Sequence, residues 1–369
     1  MAFGFFKKKK KEEASADSRF LQLKISEVVQ ETAEAVSLVF EQPATGNLEY
    51  KPGQFITIIQ TVDGKKIRRA YSLCSSPFLN EKPAVTVKRV EGGAMSNYLN
   101  SQVSAGDVME IMEPMGSFTP AIDASNKRQI FLIGGGSGIT PLMSIAKSIL
   151  SEEQESKVSL IYANKDEASI IFNETIKSLS AKYAERFSVV DFLENPPAEW
   201  SGQTGLLDAG KLTSVINRLK DDSYSDISYY TCGPGPMMDI VMDTLNNMGV
   251  ADDQKHKESF VAGTTSPKDI IVEEESADQS REVTVVLDGE EHKFVVQPKK
   301  TILETGLDQN IDMPYSCQSG LCTACRGKCI SGKISMDEDD GLSDEERADG
   351  YVLLCVGHPL TDNVVVEIG

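Results

Sequence analysis

Cys317, Cys322 and Cys325 stand in a C-x4-C-x2-C run within the stretch Pro314–Cys329, and Cys355 follows thirty positions after Cys325. Four thiolates in this spacing hold a [2Fe–2S] cluster. Two irons bridged by two sulfides need two thiolates each, so four sulfurs must converge on one small volume. Gly320, between the first two cysteines, lets a loop wrap such a group and turn N–H groups toward its sulfurs. Two other readings fit less well. A zinc ribbon wants two C-x2-C pairs, and only Cys322/Cys325 is one. A disulfide framework suits short secreted chains, whereas this chain has 369 residues and an odd number of cysteines, seven. Spacing alone does not separate Cys329 from Cys325 as a ligand, and the plainer reading of Cys329 is an inert thiol near the site.

A second chemistry-bearing stretch is Gly134-Gly135-Gly136-Ser137-Gly138-Ile139-Thr140-Pro141. It sits between a continuous apolar run, Gln129–Ile133, and a helix-like stretch, Leu142–Leu150. Glycines there let the backbone approach a pyrophosphate, and the helix start offers free N–H groups and a positive dipole end. The pattern is not G-x-x-x-x-G-K-[ST], which disfavours a nucleoside-triphosphate loop. Ser137 is not in a nucleophile elbow, because Ile139 occupies the second glycine's place. The bland alternative is a tight strand-to-helix turn without a ligand. Cys232-Gly233-Pro234 follows another buried strand, at the carboxyl edge where doubly wound sheets bind ligands. A thiol there can lie against a nicotinamide ring; taken alone, a buried cysteine is more often a small apolar filler.

The elements that must position these residues fall into three groups. From Arg19 to Ile122 short alternating strands and turn signals predict a small antiparallel barrel, interrupted by one helix near Ser96. Asp63-Gly64 marks a hairpin within it. From 123 to 262 strand-like and helix-like stretches alternate, which predicts a parallel doubly wound sheet. Residues 263–280 are small, polar and acidic and read as a linker. From 281 to 369 a hairpin turning at Asp288-Gly289 precedes a helix whose Thr301 and Glu304 suit a capping box. The cysteine loop comes next. Residues 1–18, with Lys7–Lys11, read as a disordered basic tail that is solvated or makes weak contact with an acidic surface or anionic lipid.

Composition is that of an ordinary globular protein, 40% apolar and 25% charged. The formal charge of -19 argues against nucleic acid as a partner. Residues 281–369 hold 8 Lys/Arg against 17 Asp/Glu. Such a surface suits steering of a one-electron carrier onto a basic partner, or simply solubility. No integral membrane segment is legible. The absence of a signal-peptide pattern and the unpaired cysteines predict a cytoplasmic protein. His256, His292 and His358 have no metal spacing and read as structural or surface residues.

Arg69-Ala70-Tyr71-Ser72, Gly93-Ala94-Met95-Ser96, the glycine run and Cys232-Gly233-Pro234 resemble, in order, the motifs of the ferredoxin–NADP reductase superfamily. With a plant-type ferredoxin unit at the C-terminus, the chain is similar to the reductase components of bacterial multicomponent oxygenases from Arg19 to Gly369, nearest to those of phenylacetyl-CoA epoxidases. The resemblance implies an antiparallel β-barrel FAD domain, an α/β doubly wound NAD(P)-binding domain and an α+β β-grasp ferredoxin domain. It implies that Arg69 pairs with flavin phosphate, Tyr71 borders the isoalloxazine, and Ser72 bonds near the hydride-accepting nitrogen. Gly93, Met95 and Ser96 would open a helix on the pyrophosphate, favouring FAD over FMN. Gly135, Gly136 and Thr140, with Gly233 and Pro234, would cradle the nicotinamide nucleotide. Cys232 would abut its reacting carbon, and Phe260 would lie near the flavin. Cys317, Cys322, Cys325 and Cys355 would hold the cluster. Lys165 and the resemblance favour NADPH, while Asp166 and Glu167 leave NADH open. The implied path runs from NAD(P)H through FAD and [2Fe–2S] to a partner oxygenase, most simply a phenylacetyl-CoA epoxidase-type diiron enzyme. The alternatives are another acceptor, such as a desaturase or a steroid or aromatic hydroxylase, and a redox-sensing interaction protein.

Overall fold

The computed structural model describes residues 20–43, 46–260, 279–318, 320, 322–337 and 341–368. The basic tail expected over 1–18 lies outside them, as does the expected linker 263–280 apart from its last two residues.

The first unit is a curled antiparallel sheet. Its strands are β1 (Phe20–Thr32), β2 (Ala35–Phe40), β3 (Phe55–Val62), β4 (Lys65–Ser72), β5 (Ala84–Lys88) and β6 (Val108–Met115), with helix α1 (Ala94–Ser101) before the last. The order is β4-β3-β6-β1-β2-β5. An antiparallel bridge from Leu73 to Val85 joins the two outer strands and closes the sheet into a barrel. The hairpin at Asp63-Gly64 forms because both residues take positive φ, 50° and 76°, as a two-residue turn between twisted strands requires. Leu23, Ile25, Leu38, Phe40, Ile56 and Ile58 point inward and are fully buried.

The second unit is an all-parallel sheet. It contains β7 (Gln129–Gly135), α2 (Ile139–Glu152), β8 (Lys157–Asn164), α3 (Asn173–Lys182), β9 (Phe187–Leu193), β10 (Gln203–Thr204), α4 (Ala209–Leu219), β11 (Ile227–Cys232), α5 (Gly235–Asn247) and β12 (Lys255–Glu258). The order β10-β9-β8-β7-β11-β12 reverses direction between β7 and β11. Every residue of β7 is buried, because helices cover both faces of the sheet. The reversal opens a crevice at the carboxyl ends of β7 and β11, where such sheets take ligands. Gly134 and Cys232 are register partners there.

The third unit is the ferredoxin-type β-grasp. Its elements are β13 (Arg281–Leu287), β14 (Glu290–Val296), α6 (Ile302–Asp308), β15 (Arg326–Ser331), β16 (Ile334–Met336), α7 (Asp344–Ala348), β17 (Tyr351–Leu353), β18 (Gly357–Pro359) and β19 (Val364–Ile368). The main sheet runs β14-β13-β19-β15-β17. Thr301 and Glu304 form the expected capping box at α6. Among the described residues, no helix is long and apolar enough to cross a membrane.

Candidate functional site

The glycine run is shaped by what it packs against. A Cβ on Gly138 would stand 2.0 Å from the Cys232 carbonyl oxygen, and one on Gly135 would stand 2.8 Å from Pro234 Cδ. Only bare backbone lets the start of α2 approach Cys232-Gly233-Pro234 so closely. Gly136 adds a left-handed turn at φ 52°, and its carbonyl accepts a 2.9 Å hydrogen bond from Tyr162 Oη. The hydroxyl of Thr140 donates to the Ser137 carbonyl and so ties the first turn of α2. Gly135, Gly136, Thr140, Cys232, Gly233 and Pro234 therefore meet at one crevice. Lys165 lies beyond the end of β8 and is exposed. Asp166, next to it, spends a carboxylate oxygen on capping a short turn through the Ser169 N–H.

In the barrel, β4 carries Arg69, Tyr71 and Ser72. Alternation along the strand turns Tyr71 and Ser72 to opposite faces. Ser72 faces a cavity of about 390 Å³, while Tyr71 turns toward the barrel core, where burial raises its hydroxyl pKa. Arg69 lines the cavity and donates to the Arg68 carbonyl. Gly93 is the N-cap of α1, and the Ser96 hydroxyl accepts from the Val90 N–H and donates to the Gly93 carbonyl. Met95 sends its side chain into the barrel core, leaving its backbone at the helix start. Phe260 is 46% exposed and borders the same cavity.

That cavity is where the three units meet. Phe55, Arg69 and Ser72 come from the barrel, His256 and Glu258 from the nucleotide sheet, and Cys317 and Gln318 from the cysteine loop. Ser72 Oγ donates to Glu258 Oε2 at 3.2 Å. Burial, with the sulfur of Cys317 adding to it, pushes the Glu258 carboxyl up to about 8. Cys232, the register partner of Glu258, is fully buried, and burial followed by that carboxylate keeps its thiol protonated. Behind the wall, His256 stacks on Tyr230 at 4.3 Å, and Phe118 meets Tyr230 edge-on at 5.3 Å. Sequence reasoning passes over Glu258. Its only signal is a lone acid ending a strand, in Glu258-Ser259-Phe260.

The cysteine loop brings four thiols together. The thiol of Cys322 bonds to that of Cys317, and the thiol of Cys355 bonds to those of Cys317 and Cys325. These contacts, with burial, raise the pKa values of Cys322 and Cys355 strongly. No disulfide relieves the crowding. Four sulfurs so placed become anions only around a cation, and that donor set fits a cluster held by four thiolates. Among the described residues, no three His, Cys, Asp or Glu side chains close around a single metal ion. A two-iron cluster instead spreads its thiolates over two metals. Cys329 stands apart: it lies within β15, and its Sγ donates to the Ser331 carbonyl.

Comparison with known proteins agrees with this geometry. Residues 21–119 match the oxidoreductase FAD-binding domain, 132–243 the oxidoreductase NAD-binding domain, and 285–360 the 2Fe-2S iron-sulfur cluster binding domain. The ferredoxin reductase component of 3-ketosteroid-9-alpha-monooxygenase from Rhodococcus rhodochrous is 38% identical over 95% of this chain and 97% of its own. A component of 1,2-phenylacetyl-CoA epoxidase from Escherichia coli is 34% identical over 94% and 97%. The solved structure of phthalate dioxygenase reductase superposes with a TM-score of 0.60 at 25% identity, covering 95% of this chain and 98% of that one. An oxidoreductase built on FAD, a nicotinamide nucleotide and [2Fe–2S], the chain belongs to the ferredoxin–NADP reductase superfamily, in the form that carries a C-terminal ferredoxin domain.

Proposed function

We propose that this chain draws hydride from NADPH and delivers the electrons one at a time to a partner oxygenase. The observation that carries the reading is the shared cavity, walled by Ser72, Glu258 and Cys317 from three different units. The chemistry supplied there by the bound groups is hydride acceptance at the flavin and one-electron carriage at the cluster. The protein's own part is to bind, orient and exclude water. Arg69 offers a guanidinium for the flavin phosphate, whereas Tyr71, turned toward the barrel core, backs the strand and leaves the cavity wall to Ser72. The backbone from Gly93 through Met95 to Ser96 presents helix N–H groups to the pyrophosphate. Gly135, Gly136 and Thr140, with Gly233 and Pro234, hold the nucleotide so that its ring lies beside the neutral Cys232 thiol. Ser72 Oγ faces the flavin cavity while its proton goes to Glu258 Oε2, and Glu258, neutral at pH 7, backs it without adding a charge. Phe260 borders the ring. Cys317, Cys322, Cys325 and Cys355 hold the cluster.

Lys165 supports NADPH over NADH, since it stands exposed at the ribose end of β8 while Asp166 caps its own turn. The acceptor we propose is a phenylacetyl-CoA epoxidase-type diiron oxygenase, after the 34% relative. A steroid monooxygenase is the second reading, favoured by the 38% relative. The protein works in the cytoplasm on this reading. The test is an anaerobic visible spectrum of the purified chain, titrated with NADPH and then NADH. Flavin bands over broad iron–sulfur absorption, bleached by about one and a half equivalents of NADPH (two electrons for the flavin and one for the cluster), are expected for a carrier of this kind. A colourless protein refutes the reading; a coloured one that neither nucleotide reduces moves the redox-sensor alternative ahead. Purified diiron epoxidase and steroid oxygenase, offered in turn to the reduced chain, then decide the acceptor.

A further inference from the structure

The ferredoxin unit does not merely abut the barrel: one buried guanidinium ties them. Arg68, beside Arg69 on β4 but on the opposite face, has a side chain only 3% exposed. Its Nη1 donates to the Met313 carbonyl at 2.8 Å and its Nη2 to Asp312 Oδ1 at 2.7 Å. The guanidinium also lies 5.1 Å from the centre of the Tyr315 ring. Around it Thr57 bonds Ser316, and Phe55, Ile59 and Met112 pack on Cys322 and Ala324. Every partner on the ferredoxin side therefore belongs to the loop of the proposed cluster ligands or to the turn leading into it. Arg68 is four residues from Ser72 on one strand, and Met313 is four residues from Cys317 on one loop. A fork with two fixed donors sets both position and angle, which an ammonium cannot do.

We infer that Arg68 is a positioning residue that holds the cluster loop in electron-transfer register with the flavin cavity. This inference rests on the function proposed above. Loss of its charged hydrogen bonds shifts the ratio of docked to undocked ferredoxin unit by about 10- to 100-fold toward undocked. The apolar contacts keep the two units near each other but do not fix their register.

The test uses the full chain, flavin- and cluster-replete, as wild type, Arg68→Gln and Arg68→Lys. Rapid mixing with NADPH separates flavin reduction from the later reduction of the cluster. Hydrogen exchange over 312–318 and small-angle scattering report docking without any turnover. The expected result is flavin reduction at the wild-type rate, cluster reduction slowed by about tenfold or more in Arg68→Gln, faster exchange over 312–318 and a larger radius of gyration. Arg68→Lys should fall between, since it keeps the charge and loses the fork. Cluster reduction at the wild-type rate in Arg68→Gln, with unchanged exchange and scattering, overturns the inference. Equal slowing of both steps overturns it too, because Arg68 would then serve the flavin pocket. If neither nucleotide reduces the wild type, the carrier reading fails by itself, and exchange and scattering still decide whether Arg68 holds the units together.

Discussion

Glu258→Gln separates the electrostatics of the cavity from its shape. The side chains have nearly the same size, and only one of them can ionise. The folded carboxyl titrates near 8 against an ordinary 4.5, chiefly because burial removes water from it. Between those values the unfolded chain has released this proton while the folded chain still holds it. Unfolding is therefore favoured progressively as pH rises from 4.5, and the loss is complete above 8. The gap corresponds to about 2–5 kcal/mol, the lower figure allowing for water that the cavity admits. In Glu258→Gln that loss is absent, so the variant should gain on the wild type as pH rises and exceed it most at pH 9. Trp200, the chain's only tryptophan, packs in the nucleotide unit with Glu258's sheet and reports its unfolding by denaturant fluorescence. Flavin reduction should be similar in the two proteins at pH 7, where both present a neutral group to Ser72. Above pH 8 the wild type should slow and the variant should not. Parallel stability of the two proteins across pH 5–9 would refute a desolvated, neutral Glu258 and the role given to it.

Three further outcomes are expected. Cys322→Ser should abolish reduction of a one-electron protein acceptor yet spare NADPH oxidation by ferricyanide; equal loss of both in a folded, flavin-replete variant sinks the linear path. Gly138→Ala forces a Cβ to within 2.0 Å of the Cys232 carbonyl oxygen. The backbone must move, which should cost about 1–3 kcal/mol or more in denaturant unfolding and weaken nucleotide binding measured by calorimetry. Lys165→Glu should raise the KM for NADPH by about 10- to 100-fold, the worth of one charge-assisted hydrogen bond, and leave that for NADH nearly unchanged. An equal rise for both nucleotides would remove Lys165 from the 2′-phosphate.

The parts legible in the sequence are those whose physics is local. Asp63-Gly64 and Asp288-Gly289 each take positive φ at both positions, so the two hairpins follow from the dipeptides themselves. The capping box at Thr301 and Glu304 spans three residues. The uninterrupted apolar run of β7 announces a strand covered on both faces. Strands β10 and β12 are not legible in this way, because they run only two and four residues and draw their definition from neighbours. The role of Glu258 is invisible for the same reason. An acid ending a four-residue strand is unremarkable until Ser72, 186 positions earlier, is brought to 3.2 Å from it.

The cysteine spacing, the glycine run and the order of the short motifs determined the three-unit architecture and the chemistry that these residue types can support. Cluster ligands, phosphate-approaching glycines and turns are constrained over a few residues, so their signals survive in one dimension. Only the tertiary structure decided that Cys325 joins the thiol contacts while Cys329 lies in a strand. It alone turned Tyr71 toward the barrel core and gave Glu258 its raised pKa. It alone set Arg68 in a buried fork 244 positions from Asp312. Burial, desolvation and close approach between distant segments depend on which surfaces meet, and that is a property of the packed molecule.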